Sequence, residues 1–217
     1  MKSTYKLHYF EGNGRAVNIR AILDYTNSSW EDNKVTFADW PALKASGKFE
    51  FGQMPVLEHD GKQKTQTVAI EVYLARVFGL LGVSEEDEYQ ILNIISTRED
   101  YSKHLYGLLF ANEEQKTKRD EIIKNLNENV FPPILISYER RYLENGKGKY
   151  FLGDKFSLAD IFLATGFTQL FESSLLKDIF FELPTKYAPS IVELVQRVKQ
   201  TELKEFFEKS YLHNSTF

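Results

Sequence analysis

Tyr9 and Arg15 are the residues whose types and spacing point most directly to chemistry. Tyr9 closes the apolar-alternating run Tyr5-Lys6-Leu7-His8-Tyr9-Phe10, and Gly12-Asn13-Gly14-Arg15 follows after one residue. A phenol has an ordinary pKa near 10, so at neutral pH it is a proton donor suited to holding an anion opposite it. The alternation predicts an opening β-strand, and the glycines predict a turn into a helix. Strand-to-helix turns at the carboxyl end of a strand are where α/β sheets bind ligands. A strand-end tyrosine with a satisfied hydroxyl is the plainer alternative. What weighs against it is the downstream series Trp40, Lys44, Met54-Pro55 and Gln66-Thr67, in that order.

The elements that must position these residues divide by period. Residues 5–10 read as a first strand, and Asn13 to about Thr26 as a helix with Ala16, Ile19, Ile22 and Leu23 on one stripe. Trp30 to Phe37 reads as a second strand. Pro55–His59 and Lys62–Thr65 form a hairpin around Asp60-Gly61, and Thr67 opens a helix that ends near Gly79. Residues 79–87 read as a linker. Beyond it the pattern is helical: Glu88 to Ala111, then Lys116 to Asn145 kinked at Pro132-Pro133, then a helix capped by Ser157 and Asp160, then shorter helices to about Lys209. This order, β-α-β-(α)-β-β-α followed by helices, predicts two domains: 1–80, an open sheet with helices, and 88–217, all helical.

Composition narrows the function. The chain has 217 residues, 27 basic and 31 acidic, a formal charge of −4 and no basic block, so it lacks the clustered positive face of a nucleic-acid binder. No stretch approaches the roughly eighteen apolar residues of a membrane span, and Met1 to Tyr5 is not a signal-peptide start. A soluble, cytoplasmic protein is expected. There is no cysteine, which excludes disulfides, thiolate metal sites and CxxC redox chemistry. Any reacting sulfur must arrive with a substrate. The histidines form no ligand set with carboxylates beyond the i,i+4 pair Asp100 and His104, so no metal site is expected. Gly12-x-Gly14 is followed by Val17 rather than a third dinucleotide-loop glycine.

Taken together, these residues resemble the cytosolic glutathione transferases, most closely the sigma class, over essentially the whole chain. The resemblance is carried by Tyr5-x-Leu-x-Tyr9-Phe10, Gly14-Arg15-Ala16, Ile19-Arg20, Ala38-Asp39-Trp40-Pro41, Phe51-Gly-Gln-Met-Pro55-Val-Leu-Glu58, Gln66-Thr-x-Ala-Ile70 and Phe156-Ser-Leu-Ala-Asp160. It implies a thioredoxin-like domain joined to an all-α domain, working as a homodimer with glutathione as co-substrate.

On that resemblance, Tyr9 and Arg15 stabilise the glutathione thiolate. Lowering a thiol pKa from about 8.5 by about two units needs roughly 2.7 kcal/mol of preferential stabilisation. One charge-assisted bond from Tyr9 supplies a large part of this, with Arg15 adding positive potential. Trp40, Lys44 and Gln53 receive the glycyl carboxylate, since an indole and an ammonium four residues apart share a helical face. Met54-Pro55, as a cis turn, exposes main chain to pair with the peptide. Gln66 and Thr67 receive the γ-glutamyl carboxylate at a helix start. Asp100 reaches the γ-glutamyl amino group from the partner subunit. Phe10, Asn13, Tyr106 and Phe110 line the pocket for a hydrophobic electrophile.

Four departures stand out: Thr67 for the usual serine, Gln53 for a frequent lysine, Val72 at a commonly basic position, and Gly107 where prostaglandin synthases carry a bulky aromatic. The reading is glutathione conjugation to hydrophobic electrophiles, with peroxide reduction or isomerisation as further activities. The alternative is a catalytically weak relative kept for ligand binding or as a crystallin-like structural protein.

Overall fold

The alternating run does form a strand, and the elements that follow keep the expected order. In the computed structural model, which describes residues 4–109 and 116–209, β1 (Thr4–Phe10) leads through a 3-10 turn (Gly14–Ala16) into α1 (Val17–Tyr25). Then come β2 (Ser29–Val35), α2 (Trp40–Ala45), β3 (Val56–His59), β4 (Lys62–Thr65) and α3 (Thr67–Val77). The sheet order is β2-β1-β3-β4. β1 lies parallel to β2, with Tyr9 opposite Lys34, and antiparallel to β3, with Leu7 opposite Leu57. Asp60 and Gly61 turn the β3–β4 hairpin with φ of 47° and 77°, the double left-handed geometry that suits an Asp-Gly pair. Leu7, Ile19, Ile22, Leu23, Leu57, Ile70 and Leu74 have no exposed surface, and each such burial stabilises by about 1.5–3 kcal/mol.

The second strand stops earlier than its pattern suggests. Thr36 Oγ1 donates to Asp39 Oδ2 at 2.6 Å, and the Asp39 N–H donates back to Thr36 Oγ1 at 3.1 Å. This local side-chain turn competes with the ladder, so β2 ends at Val35 and Phe37 leaves the sheet.

The helical part begins inside the expected linker. Ser84 and Asp87 form a capping box, with Asp87 N–H to Ser84 Oγ at 3.1 Å and Ser84 N–H to Asp87 Oδ2 at 3.1 Å, and α4 runs Glu85–Ser96. The long helix expected to Ala111 is broken at Thr97, whose Oγ1 donates to the Ile94 carbonyl at 2.7 Å. α5 then covers Arg98–Leu109. The next helix is also divided: α6 (Lys116–Asn125), one wide turn of π geometry (Leu126–Val130), then α7 (Phe131–Glu144). Pro132 and Pro133 sit in the first turn of α7, where a missing N–H costs nothing, instead of kinking a helix interior. After these come α8 (Leu158–Phe167), a second π turn (Thr168–Glu172), α9 (Lys177–Phe180), α10 (Glu182–Tyr187), α11 (Pro189–Gln200) and α12 (Lys204–Glu208).

Two compact units result. One holds residues 4–81 together with 198–209, the other 82–197. α12 packs against α1 with Leu203 and Phe206 buried, which ties the last helix to the sheet-bearing unit.

Ser157 and Asp160 cap α8 as expected. The Phe151 N–H donates to Asp160 Oδ1 at 2.7 Å, and the Ser157 N–H and Oγ both donate to Oδ2 at 2.9 Å. Asp160 is nevertheless so buried that loss of water outweighs these bonds and raises its carboxyl from 3.8 to about 6. The folded state thus binds this proton more tightly than the unfolded chain does. Its stabilising contribution is complete below the unfolded value near 3.8 and is lost as pH rises through about 6. The thermal stability of wild type relative to Asp160→Asn is expected to fall between those values, and a pH-independent difference in melting curves would refute the titration. Asp160→Ala is expected to cost about 1–2 kcal/mol, the range of lost caps.

Candidate functional site

The turn between β1 and α1 brings the phenol and the main chain of Arg15 together. Tyr9 is 8% exposed, and its Oη accepts the Arg15 N–H at 3.0 Å. A hydroxyl that accepts from a backbone donor keeps its own proton for a further acceptor and is polarised toward giving it. The contact depends on Gly14, whose φ of +36° is left-handed and where a Cβ would stand 2.6 Å from Tyr9 Oη. His8 faces the opposite side of the sheet. Its Nδ1 accepts from Asn33 Nδ2 at 2.8 Å, and Nε2 donates to Glu58 Oε1 at 3.0 Å. Burial lowers its pKa, with Glu58 opposing, so the ring is held neutral and fixed beside Tyr9 in the strand.

The second group of expected residues gathers in the same unit. Trp40 and Lys44 lie one turn apart on α2, with Lys44 exposed and Trp40 partly so. Trp40 meets Phe10 edge-on, with centroids 5.8 Å apart, which links α2 to the end of β1. The Lys44 stem runs beside the loop that carries Gln53, its Cγ 3.6 Å from where a Cβ on Gly52 would lie. Gln53 is exposed, Met54 partly exposed, and the Met54-Pro55 bond is cis. Gln66 takes φ 68° and ψ 117°, an uncommon left-handed conformation for a residue with a side chain. Gln66 rather than Thr67 is the N-cap of α3, and its side chain makes no capping bond. Thr67 is the first helical residue and is 6% exposed. The first-turn N–H groups of α3 and the positive end of its dipole are therefore available to a carboxylate without competition from a cap at Gln66.

The remaining candidates are more dispersed. Phe10 is half-buried, while Asn13 is 1% exposed and offers almost no surface to a pocket. Its burial follows from the tight turn, in which the Asn13 carbonyl accepts the Ala16 N–H at 2.9 Å. In the helical unit, Tyr106 is 40% exposed on α5. Asp100 is exposed on the same helix, in an open groove shared with Asn93, Asn129, Arg140 and Arg141. Phe110 lies outside the described residues. Among the described residues no group of three or more His, Asp and Glu could hold a metal ion, and no helix is long and apolar enough to cross a membrane.

Sequence reasoning missed one aromatic. Phe37, freed by the end of β2, stacks on Phe10 with centroids 4.6 Å apart and 17° between planes, and is 74% exposed. Only the Thr36-x-x-Asp39 turn pattern pointed to it.

Comparison with known proteins decides what this arrangement belongs to. Residues 5–76 match the N-terminal domain model of glutathione S-transferase, and residues 99–210 match the C-terminal one. The chain belongs to the glutathione S-transferase family. It is 30% identical to Glutathione S-transferase 3 of Caenorhabditis elegans over 192 residues, covering 87% of this chain and 91% of that one. A glutathione S-transferase of Anopheles gambiae is 31% identical over 201 residues, covering 91% and 92%. Among solved structures, the sigma class enzyme of Fasciola hepatica aligns with a TM-score of 0.81 at 26% identity, over 96% of this chain and 97% of that one. The prostaglandin synthase D of Nilaparvata lugens aligns at 0.77 and 29% identity, over 95% and 98%. Residues 5–76 are thus the thioredoxin-like half of a glutathione transferase, an enzyme with glutathione as co-substrate, and residues 99–210 match its C-terminal domain.

Proposed function

We propose that Tyr9 activates the thiol of glutathione as a thiolate for conjugation to hydrophobic electrophiles. The observation that carries this is the Arg15 N–H donating to Tyr9 Oη at 3.0 Å across a glycine that leaves no room for a side chain. An oxygen so held donates its proton outward, and a thiolate opposite it gains a charge-assisted hydrogen bond. Arg15 adds positive potential. Trp40, Lys44 and Gln53 take the glycyl carboxylate, Met54 ahead of the cis Pro55 pairs with the peptide backbone, and Gln66 and Thr67 at the start of α3 take the γ-glutamyl carboxylate. Phe10, extended by Phe37, supplies apolar contact for the electrophile.

The sigma class is the reading within the family, supported by the sequence motifs and by the Fasciola hepatica match. Peroxide reduction is compatible with the same thiolate. Prostaglandin D synthesis is disfavoured, because Gly107 supplies no side chain where such synthases carry a bulky aromatic. A cytoplasmic homodimer, with Asp100 reaching the partner's glutathione, completes the reading.

The test is retention on immobilised glutathione together with turnover of a chlorodinitrobenzene-type acceptor. Binding without turnover would replace the enzyme reading by the ligand-binding or crystallin-like one. Sedimentation at micromolar concentration is expected to show twice the 25.2 kDa chain mass. A lone 25.2 kDa species would remove Asp100 from the site.

A further inference from the structure

Arg20 is among the largest side chains with no exposed surface, and a guanidinium is tolerated there only when its donors are paired. Its partners frame the Tyr9 turn. Nη1 donates to the Gly12 carbonyl at 2.7 Å and Nη2 to the Phe10 carbonyl at 2.9 Å. Nε and Nη2 also donate to the two carboxylate oxygens of Asp32 at 3.2 and 3.1 Å, a fork-to-fork pair. The guanidinium carbon lies 5.7 Å from the Tyr9 ring centroid. Asp32 stands opposite Leu7 in the β1–β2 register, on the sheet face that also carries Tyr9. Strand, turn and helix are therefore tied at one point, next to the residue whose hydroxyl position matters. A fork is needed for this, because a single ammonium cannot serve two carbonyls and a bidentate carboxylate at once.

We infer that Arg20, oriented by Asp32, is a positioning residue for the proposed reaction, fixing the carbonyls of Phe10 and Gly12 so that the Tyr9 hydroxyl stays on the Arg15 N–H. This rests on the reading of Tyr9 as the thiol-activating group. A pair that serves the fold alone would alter unfolding and leave the chemistry of Tyr9 untouched.

The experiment is a coupling measurement in the full chain with glutathione and a chlorodinitrobenzene-type acceptor. Arg20→Lys keeps the charge and loses the fork. It is expected to lower kcat about tenfold, since small displacements of a reacting group carry losses of that order or more. The bound thiolate should titrate at higher pH, and the KM for glutathione should stay within about twofold. In a Tyr9→Phe background the same substitution should change kcat by less than about twofold, because the group being positioned is gone. If Arg20→Lys does not fold, Asp32→Glu, which keeps both charges and displaces the fork, is read by the same criteria with a severalfold loss expected. Wild-type kcat and titration in the folded variant, or an equal loss in both backgrounds, would overturn the inference while leaving Tyr9 in place. Wild-type turnover in Tyr9→Phe alone would overturn the reading of Tyr9, and the inference with it.

Discussion

Tyr9→Phe is expected to lower turnover by about one to two decades while leaving the KM for glutathione nearly unchanged, because the hydroxyl matters to the thiolate and not to the tripeptide's carboxylates. Glutathione is held on the proposed reading by Trp40, Lys44, Gln53, Met54, Gln66 and Thr67, so its grip does not run through the Tyr9 hydroxyl. A phenylalanine ring also keeps the packing against Phe10, 5.6 Å between centroids, so the fold should be unaffected. The thiolate of bound glutathione should titrate at a higher pH in the variant, by about one to two units if the lost bond accounts for the lost rate. The Arg15 N–H loses its acceptor in the same variant, and water can take that place. Ultraviolet titration of the bound thiolate alongside steady-state rates decides the matter. A variant that keeps the wild-type rate and titration would make Tyr9 a structural residue.

What the sequence made legible follows from how local each cause is. The β1 alternation, the Asp60-Gly61 turn and the Ser157-to-Asp160 cap are written within a few neighbouring residues, and each appears where its pattern placed it. Tyr9 and Arg15 meet because one tight turn separates them, but the contact runs through the Arg15 main chain, whereas the sequence reading offered its guanidinium. Trp40 and Lys44 share α2 for the same reason. The start of α4 was also written, in Ser84-x-x-Asp87, but the surrounding glycines and acids read more strongly as linker. The break at Thr97 and the π turn before Phe131 were less legible, because helical periodicity continues on both sides of each. Asn13 shows the limit at the site. The resemblance placed it in the electrophile pocket, yet the tight turn that delivers Arg15 buries it. The wrapping of Arg20 around Phe10 and Gly12 needs the strand order and α1 in place together, and no linear pattern encodes it.

Gly14 carries the second large effect. Any other residue there meets two separate obstacles: a φ of +36°, which costs an L side chain about 1–3 kcal/mol, and a Cβ placed 2.6 Å from Tyr9 Oη. The first acts on stability. The second acts on the hydroxyl, since either the ring or the turn must move and the 3.0 Å contact with the Arg15 N–H is lost in both cases. Gly14→Ala is therefore expected to reduce turnover by about two decades, the order of loss that follows ångström-scale misplacement of a reacting group. The two obstacles separate in a double variant. With Tyr9→Phe the oxygen is absent, and the next ring atoms lie 3.4 Å from the added carbon, close to ordinary contact. Adding Gly14→Ala to Tyr9→Phe should then lower melting temperature as it does in wild type, but reduce turnover by only about threefold or less. Equal losses of turnover in the two backgrounds would show that Gly14 supports the turn as a whole and has no specific role in holding the Tyr9 hydroxyl.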